Sequence, residues 1–244
     1  MSAQEYKKQV FEAVQDLLWK QWTALGVPGH IAASKSNTVL DPEALLVFSA
    51  GFARYDQRLY DLILDWLQVH SSQINIQRLK ALHAKSEWKD SASLGYMSAV
   101  AAKTNPTRWK KPAVDYLPDD ATSPVALFLD ENGEPEQYIP RQDEQALKYG
   151  FRRNVRIDTQ EMSASLPKTI ATLLLRMRGF LGISARVETL LVLLTSPQCK
   201  VQDIVDRSGF IYMEIYSRCP GGAYHRRLCF FRGWRFSRET VLSA

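Results

Sequence analysis

Hydrophobic residues recur at helical intervals through most of the first hundred positions. Ser2 and Glu5 have the spacing of a capping box, and the apolar residues of 10–25 then follow a period of three to four. Asp41-Pro42-Glu43 offers an N-cap, a proline at the first helical position and an acid in the first turn, ahead of the apolar run 44–52. The pattern predicts two helices, of which the second is buried.

Three further helical segments complete a predicted N-terminal helical domain, residues 1–104. Asp56 can cap a helix whose apolar face runs from Leu59 to Leu67. Ile74–His83 and Ser91–Lys103 continue the helical pattern. The apolar stripes of the first two segments predict that they pack with the preceding helix into a compact unit.

Residues 105–165 have a different pattern, which predicts a proline-rich linker with a β-hairpin and short helices. Four prolines lie between residues 105 and 124. Val125–Leu129 and Gln137–Ile139 are strand-like, and Asn132-Gly133 between them supplies the positive φ angles of a tight turn.

The last third, residues 166–244, is predicted to be a winged helix-turn-helix domain. Helices are expected at 168–180 and 185–195, followed by a short helix within 201–209. Gly209 then suits a turn that requires φ > 0, a second helix would run from Ile211 to Arg218, and 223–236 can form a two-stranded wing. The fold class is therefore mainly α, with a small β-hairpin.

Residues 43–48 and 188–193 match at four of six positions, each opening a leucine-rich helix. We attribute the match to chance rather than to duplication, because leucine-rich helices coincide often.

Charge divides the chain unevenly. Lys168–Ala244 contains twelve Lys/Arg and five Asp/Glu, a balance of +7, whereas the first 167 residues sum to −2. A basic segment without a lipid-insertion pattern favours a nucleic acid as partner, double-stranded DNA in particular, although a solubilising surface would give the same charge.

A winged helix places its second helix in the major groove and its wing near phosphates. Two groups of side chains suit these positions. The first group lies on the recognition helix and the second on the wing: Tyr212, Tyr216 and Arg218, then Arg226, Arg227, Arg232 and Arg235. Arginine forks would bind phosphates, and the tyrosines would influence the choice of base.

The run Leu175–Glu188, with Leu190–Leu194 and Asp203–Gly209, resembles bacterial winged helix-turn-helix regulators of the MarR and ArsR types. It is also similar to antitoxin-type regulators of abortive-infection systems. The resemblance implies a cytoplasmic DNA-binding transcriptional regulator, with Gly209 at the turn and Ile211–Arg218 as recognition helix. A homodimer is the expected assembly, since two-fold operators suit such modules.

The chain departs from these families after Ser208. Pro220-Gly221-Gly222 shortens the recognition helix to about two turns, and residues 208–244 contain six arginines and no lysine. One hypothesis is that this tail is translated from a different frame than the ancestral gene. Translating the gene in its other two reading frames tests this hypothesis. If it is correct, one of those frames encodes a helix-plus-wing pattern in place of residues 208–244.

A non-catalytic role is expected, because the common nucleophile, phosphate-loop, dinucleotide and zincin motifs are missing. We expect no cofactor and no metal, because Cys219, His225 and Cys229 supply only three zinc ligands and the fourth would have to be the distant Cys199. The alternative function is an interaction protein, such as the antitoxin-like partner of a nucleotidyltransferase toxin. No apolar stretch reaches the ~18 residues of a membrane span, and Met1–Val10 does not resemble a secretory signal, so a cytoplasmic location is expected.

Overall fold

The computed structural model describes residues 2–29, 37–119, 123–130, 132–135, 139–156 and 162–196, together with 202, 204 and 205. This part of the chain is mainly helical, which confirms the predicted fold class at that level. The helices are α1 Ala3–Ala24, α2 Pro42–Phe52, α3 Gln57–His70, α4 Ile76–Lys85, α5 Ser91–Thr104, α6 Pro106–Asp115, α7 Glu144–Leu147, α8 Leu173–Leu181 and α9 Ala185–Thr195. Strands β1, Val125–Ala126, and β2, Phe151–Arg152, form a small sheet.

The predicted N-caps are confirmed. The Ser2 hydroxyl accepts from the Glu5 amide at 3.2 Å while the Ser2 amide donates to the Glu5 carboxylate at 2.6 Å, which completes the capping box. Asp41 accepts from the amides at the start of α2, and Asp56 accepts from Leu59 at the start of α3. Local sequence therefore determines where these helices begin.

A continuous hydrophobic core joins helices α1 to α8, and three fully buried tryptophans lie in it. Each indole N–H donates to a partner: Trp22 to the Ser49 hydroxyl at 2.9 Å, Trp66 to the Leu25 carbonyl at 3.0 Å and Trp109 to the Ser71 carbonyl at 3.1 Å. Trp22 and Trp66 also meet edge to face, with 5.2 Å between ring centroids. Buried indoles thus contribute apolar area and leave no N–H without an acceptor.

Within the predicted linker segment, residues 106–115 form α6 and pack against α5. Pro106 occupies the first helical position, where its missing N–H costs nothing, and Pro112 lies inside the helix. Burial of Trp109 and Ala113 in the core stabilises the helix despite this second proline. The three predicted domain boundaries stay a prediction.

The predicted hairpin is only partly correct. Its turn is present: the Gly133 amide donates to the Asp130 carbonyl at 2.9 Å with φ +86° at Gly133, and Leu129 and Pro135 form an antiparallel bridge. Strand β1, however, pairs in parallel with β2, so that Val125 lies opposite Phe151. Residues 136–138, most of the predicted second strand, lie outside the described residues.

The C-terminal helices follow the predicted order. Helix α9 has the predicted bounds, whereas α8 begins at Leu173 rather than at Lys168. The predicted recognition helix and wing lie outside the described residues. None of the described helices combines the length and the apolar character that crossing a membrane requires.

Candidate functional site

The predicted DNA-contacting residues all lie outside the described residues, so the described site consists of the elements that lead into them. This applies to Gly209 at the predicted turn and to Tyr212, Tyr216, Arg218, Arg226, Arg227, Arg232 and Arg235. Helices α8 and α9 lie in the segment 166–244, which is predicted from the sequence to be a winged helix-turn-helix domain. Contacts of one buried arginine, Arg178, hold both helices to the helical core.

Helix α8 faces the core with two leucines and an arginine. Arg178 follows Leu174 by four positions and Leu175 by three, so the three side chains share a face of the helix. All three are buried. Arg176 and Phe180, on the same helix, are exposed. An arginine at a core position requires buried partners.

The Arg178 guanidinium joins two glutamates from distant parts of the chain. Its Nη1 donates to Glu43 at 2.5 Å and its Nη2 to the other oxygen of Glu43 at 3.2 Å. Its Nε donates to Glu188 at 2.7 Å, and Nη1 also donates to the Gln73 carbonyl at 3.1 Å. All three nitrogens are satisfied, which a buried guanidinium requires. The contact connects α2, α8 and α9.

Both glutamates lie in the first turn of their helices, where a carboxylate is favoured by the helix dipole. They are the first residues of the two similar segments, 43–48 and 188–193. Glu43 also accepts from the Asn75 amide at 2.7 Å, so its carboxylate holds the start of α4 as well. The two leucine-rich helices therefore meet through one arginine.

Carboxylates outnumber guanidinium groups in this cluster, which we call the Arg178 cluster: Asp41, Glu43, Arg78, Arg178 and Glu188. Complete burial raises the pKa of Glu43 to about 7, although the charge of Arg178 opposes the shift. Burial likewise raises the pKa of Glu188 against the effect of Arg178. At Asp41 burial is outweighed by the hydrogen bond and charge of Arg78, which hold the pKa of this carboxyl below its ordinary value.

The turn at residues 71–75 is the point where α6 and α8 converge. Arg108 donates to the Ser72 carbonyl at 2.7 Å and to the Ile74 carbonyl at 2.8 Å. The intervening Gln73 carbonyl is the one that Arg178 binds, and Trp109 binds the carbonyl of Ser71. Side chains of two helices thus bind four consecutive backbone oxygens of this turn, of which the Ser71 carbonyl also accepts from the Ile74 amide at 3.4 Å.

A second arginine ties the β1–β2 region to α3. Arg153 is fully buried and binds both carboxylate oxygens of Asp61, at 2.7 and 3.0 Å. Its guanidinium also lies over the Phe128 ring, 5.1 Å from the centroid. The same device, a buried arginine with a bidentate acid, is therefore used twice.

The Arg178 cluster joins α2, α8 and α9. Glu43, Arg178 and Glu188 are buried and bind one another, whereas Asp41 and Arg78 are partly exposed and bind each other at the edge of the cluster. In the part of the chain that the structure describes, no group of three or more His, Cys, Asp or Glu side chains could hold a metal.

The sequence-based interpretation missed this cluster. Its signal was present: Arg178 falls on the leucine face of a helix, where arginine is rarely buried without a partner. The partners could not be identified, because Glu43 lies 135 residues away.

Exposed cations also occur on this part of the chain. Lys168, Arg176 and Arg186 are exposed, and none of them forms an ion pair with another described residue. These charges contribute to the positive balance of the C-terminal third.

No protein-family model, curated protein or solved structure matches this chain.

Proposed function

We propose that the protein is a DNA-binding transcriptional regulator of the winged helix-turn-helix type. The observation that carries the proposal is the uneven charge: a balance of +7 over Lys168–Ala244 against −2 for the rest of the chain. Exposed Lys168, Arg176 and Arg186 belong to this positive segment. Clustered cations supply sequence-independent affinity for phosphates, and a few side chains of the recognition helix would then select bases.

In this proposal the helical core acts as a rigid support. The Arg178 cluster holds α8 and α9 against α2, so the chain enters the DNA-binding segment from a fixed position. Binding residues need such support, because small displacements of a contact side chain weaken recognition.

The direct test measures binding to native upstream DNA and to random DNA by fluorescence anisotropy. We expect Arg226→Ala/Arg227→Ala to weaken binding to both, because phosphate contacts carry no sequence information. Tyr212→Ala is expected to change the preference between sequences. Lys85→Ala/Lys148→Ala removes the same charge from two exposed lysines of the first 167 residues and serves as the matched control.

Equal losses of DNA affinity in Arg226→Ala/Arg227→Ala and in the lysine control would contradict the assigned interface. Absence of binding to either DNA at low salt would contradict the proposed function itself.

A protein-binding role, as in an antitoxin-like partner, is the second candidate. The observation that favours it is the exposure of apolar side chains: Phe180 is 88% exposed, and Leu181, Leu190 and Leu194 are also exposed. The test is co-purification with the product of the adjacent gene, using wild type and Phe180→Ser. Loss of the complex in the variant, with no binding to DNA, would favour this candidate.

A further inference from the structure

We infer that α1 pairs in antiparallel orientation with α1 of a second copy of this chain. The inference is independent of the proposed DNA binding. It rests on a second apolar face of α1, the α1 stripe, formed by Tyr6, Val10, Ala13 and Leu17. Tyr6, Val10 and Leu17 are 58%, 44% and 46% exposed, and Ala13 is exposed as well.

The α1 stripe is separate from the face that α1 turns to the core. On the core face Leu18 and Trp22 are buried, and the Phe11 ring packs edge to face on Tyr55 with 5.1 Å between centroids. At 3.6 residues per turn, the two faces lie roughly 130° apart around the helix. Residues 2–10 are all exposed, so the first turns of α1 extend beyond the core.

The spacing of the α1 stripe fits a partner helix of the same sequence. The residues of the α1 stripe are separated by intervals of four, three and four, which are the intervals of a coiled-coil seam. The order of these intervals is the same in both chain directions, so an antiparallel copy presents the same spacing. In an antiparallel pair centred between residues 11 and 12, Tyr6 lies level with Leu17 of the second copy. Val10 then lies level with Ala13 of the second copy, so each large side chain meets a smaller or more flexible one.

Charge favours the antiparallel orientation. Lys8 and Glu12 lie on the side of α1 away from the stripe and pair with each other at 4.0 Å, so they do not act across the seam. Antiparallel pairing opposes the two helix dipoles. Parallel pairing would instead set Lys20 opposite Lys20 of the second copy, because Lys20 continues the stripe. It would also bring both cores to the same end of the pair.

The pair is expected to be weak and concentration-dependent. The overlap of residues 6–17 is about 18 Å long at ~1.5 Å per residue, which is small compared with a standard interface.

Sedimentation velocity of the full chain over a wide concentration range tests the pairing. We expect a monomer–dimer equilibrium whose dissociation constant rises at least tenfold in Val10→Glu/Leu17→Glu. Val69→Glu/Val114→Glu, which adds the same charges at exposed apolar positions of α3 and α6, is the matched control and should dimerise like wild type. A chain that stays monomeric, or a dimer that both variants weaken equally, overturns the inference.

Cysteine cross-linking tests the orientation, with mass spectrometry identifying which peptides are joined. A mixture of Tyr6→Cys and Leu17→Cys chains should form a disulfide between positions 6 and 17. Leu17→Cys alone should not link to itself through position 17, since antiparallel pairing separates the two positions by about 16 Å along the axis. A bond between the two copies of position 17 overturns the antiparallel arrangement.

Discussion

At the scale of single residues, Arg178 shows how a buried charge can hold distant segments together. Its removal would leave Glu43 and Glu188 buried without their main partner, and the loss of one member of a buried pair costs more than the pair contributes. Arginine suits this position better than lysine, because its planar fork reaches two carboxylates and a carbonyl at once.

We predict that Arg178→Met lowers the free energy of unfolding by about 3–5 kcal/mol, because a buried carboxylate loses its partner. Urea unfolding followed by circular dichroism measures the change. Arg176→Met, at an exposed position of the same helix, is the matched control and should stay within about 0.5 kcal/mol of wild type. The triple variant Glu43→Gln/Arg178→Met/Glu188→Gln should lose less unfolding free energy than Arg178→Met does. A larger loss of unfolding free energy in the triple variant would contradict the electrostatic explanation.

Glu43 gives a prediction on pH dependence. Its pKa rises from an ordinary 4.5 to about 7 on folding, so between these values the folded chain binds more protons than the unfolded chain. The stability that this group contributes is therefore lost as the pH rises from about 4.5 to 7.

We expect wild type to lose about 2 kcal/mol more of its unfolding free energy between pH 5 and pH 8 than Glu43→Gln does. Urea titrations of both proteins at the two pH values measure this difference. Glu188 is present in both proteins, whereas part of the Asp41 shift comes from Glu43, so the difference reports Glu43 together with its effect on Asp41. Identical pH profiles would show that the Glu43 carboxyl is not shifted.

At the scale of secondary-structure elements, α6 shows tertiary burial overriding a local signal. Two prolines and three cations make this segment look like a connection between domains. Trp109 and Ala113 nevertheless lie in the same core as the helices before them, and Arg108 binds the 71–75 turn.

Trp109→Ala should destabilise the protein by about 3–5 kcal/mol, because it removes a fully buried side chain and leaves a cavity. Thermal and urea unfolding check this value. The exposed neighbour Lys110 provides the control, and Lys110→Ala should have little effect. If Trp109→Ala leaves the free energy of unfolding nearly unchanged, α6 is not part of the cooperative core.

At the scale of the whole molecule, charge and stability are distributed differently along the chain. The hydrophobic core joins residues from Leu18 to Leu175, whereas the positive balance belongs to the segment that begins at Lys168. The exposed cations Lys168, Arg176 and Arg186 of this segment can therefore be substituted without removing a core side chain, whereas Arg178 of the same segment belongs to the buried cluster.

For DNA binding we predict a strong dependence on salt. The logarithm of the association constant should fall linearly with the logarithm of salt concentration, and the slope should shrink by about one for each phosphate-binding arginine removed. Anisotropy titrations from low to physiological salt give this slope for wild type and for Arg226→Ala. An unchanged slope in the variant would show that Arg226 does not contact a phosphate.

Local signals made much of the helical framework predictable. The N-caps Ser2, Asp41 and Asp56 are properties of adjacent residues, so the sequence by itself determined where α1, α2 and α3 begin. The division of charge is likewise a property of composition.

Only the tertiary structure decided which distant segments meet. Arg178 with Glu43, Arg153 with Asp61, and β1 with β2 join residues separated by 135, 92 and 26 positions. A periodic pattern specifies a face but not its partner, because many pairings bury the same apolar area. The partner is selected by packing and by the need to satisfy each buried charge, and both depend on the whole folded chain.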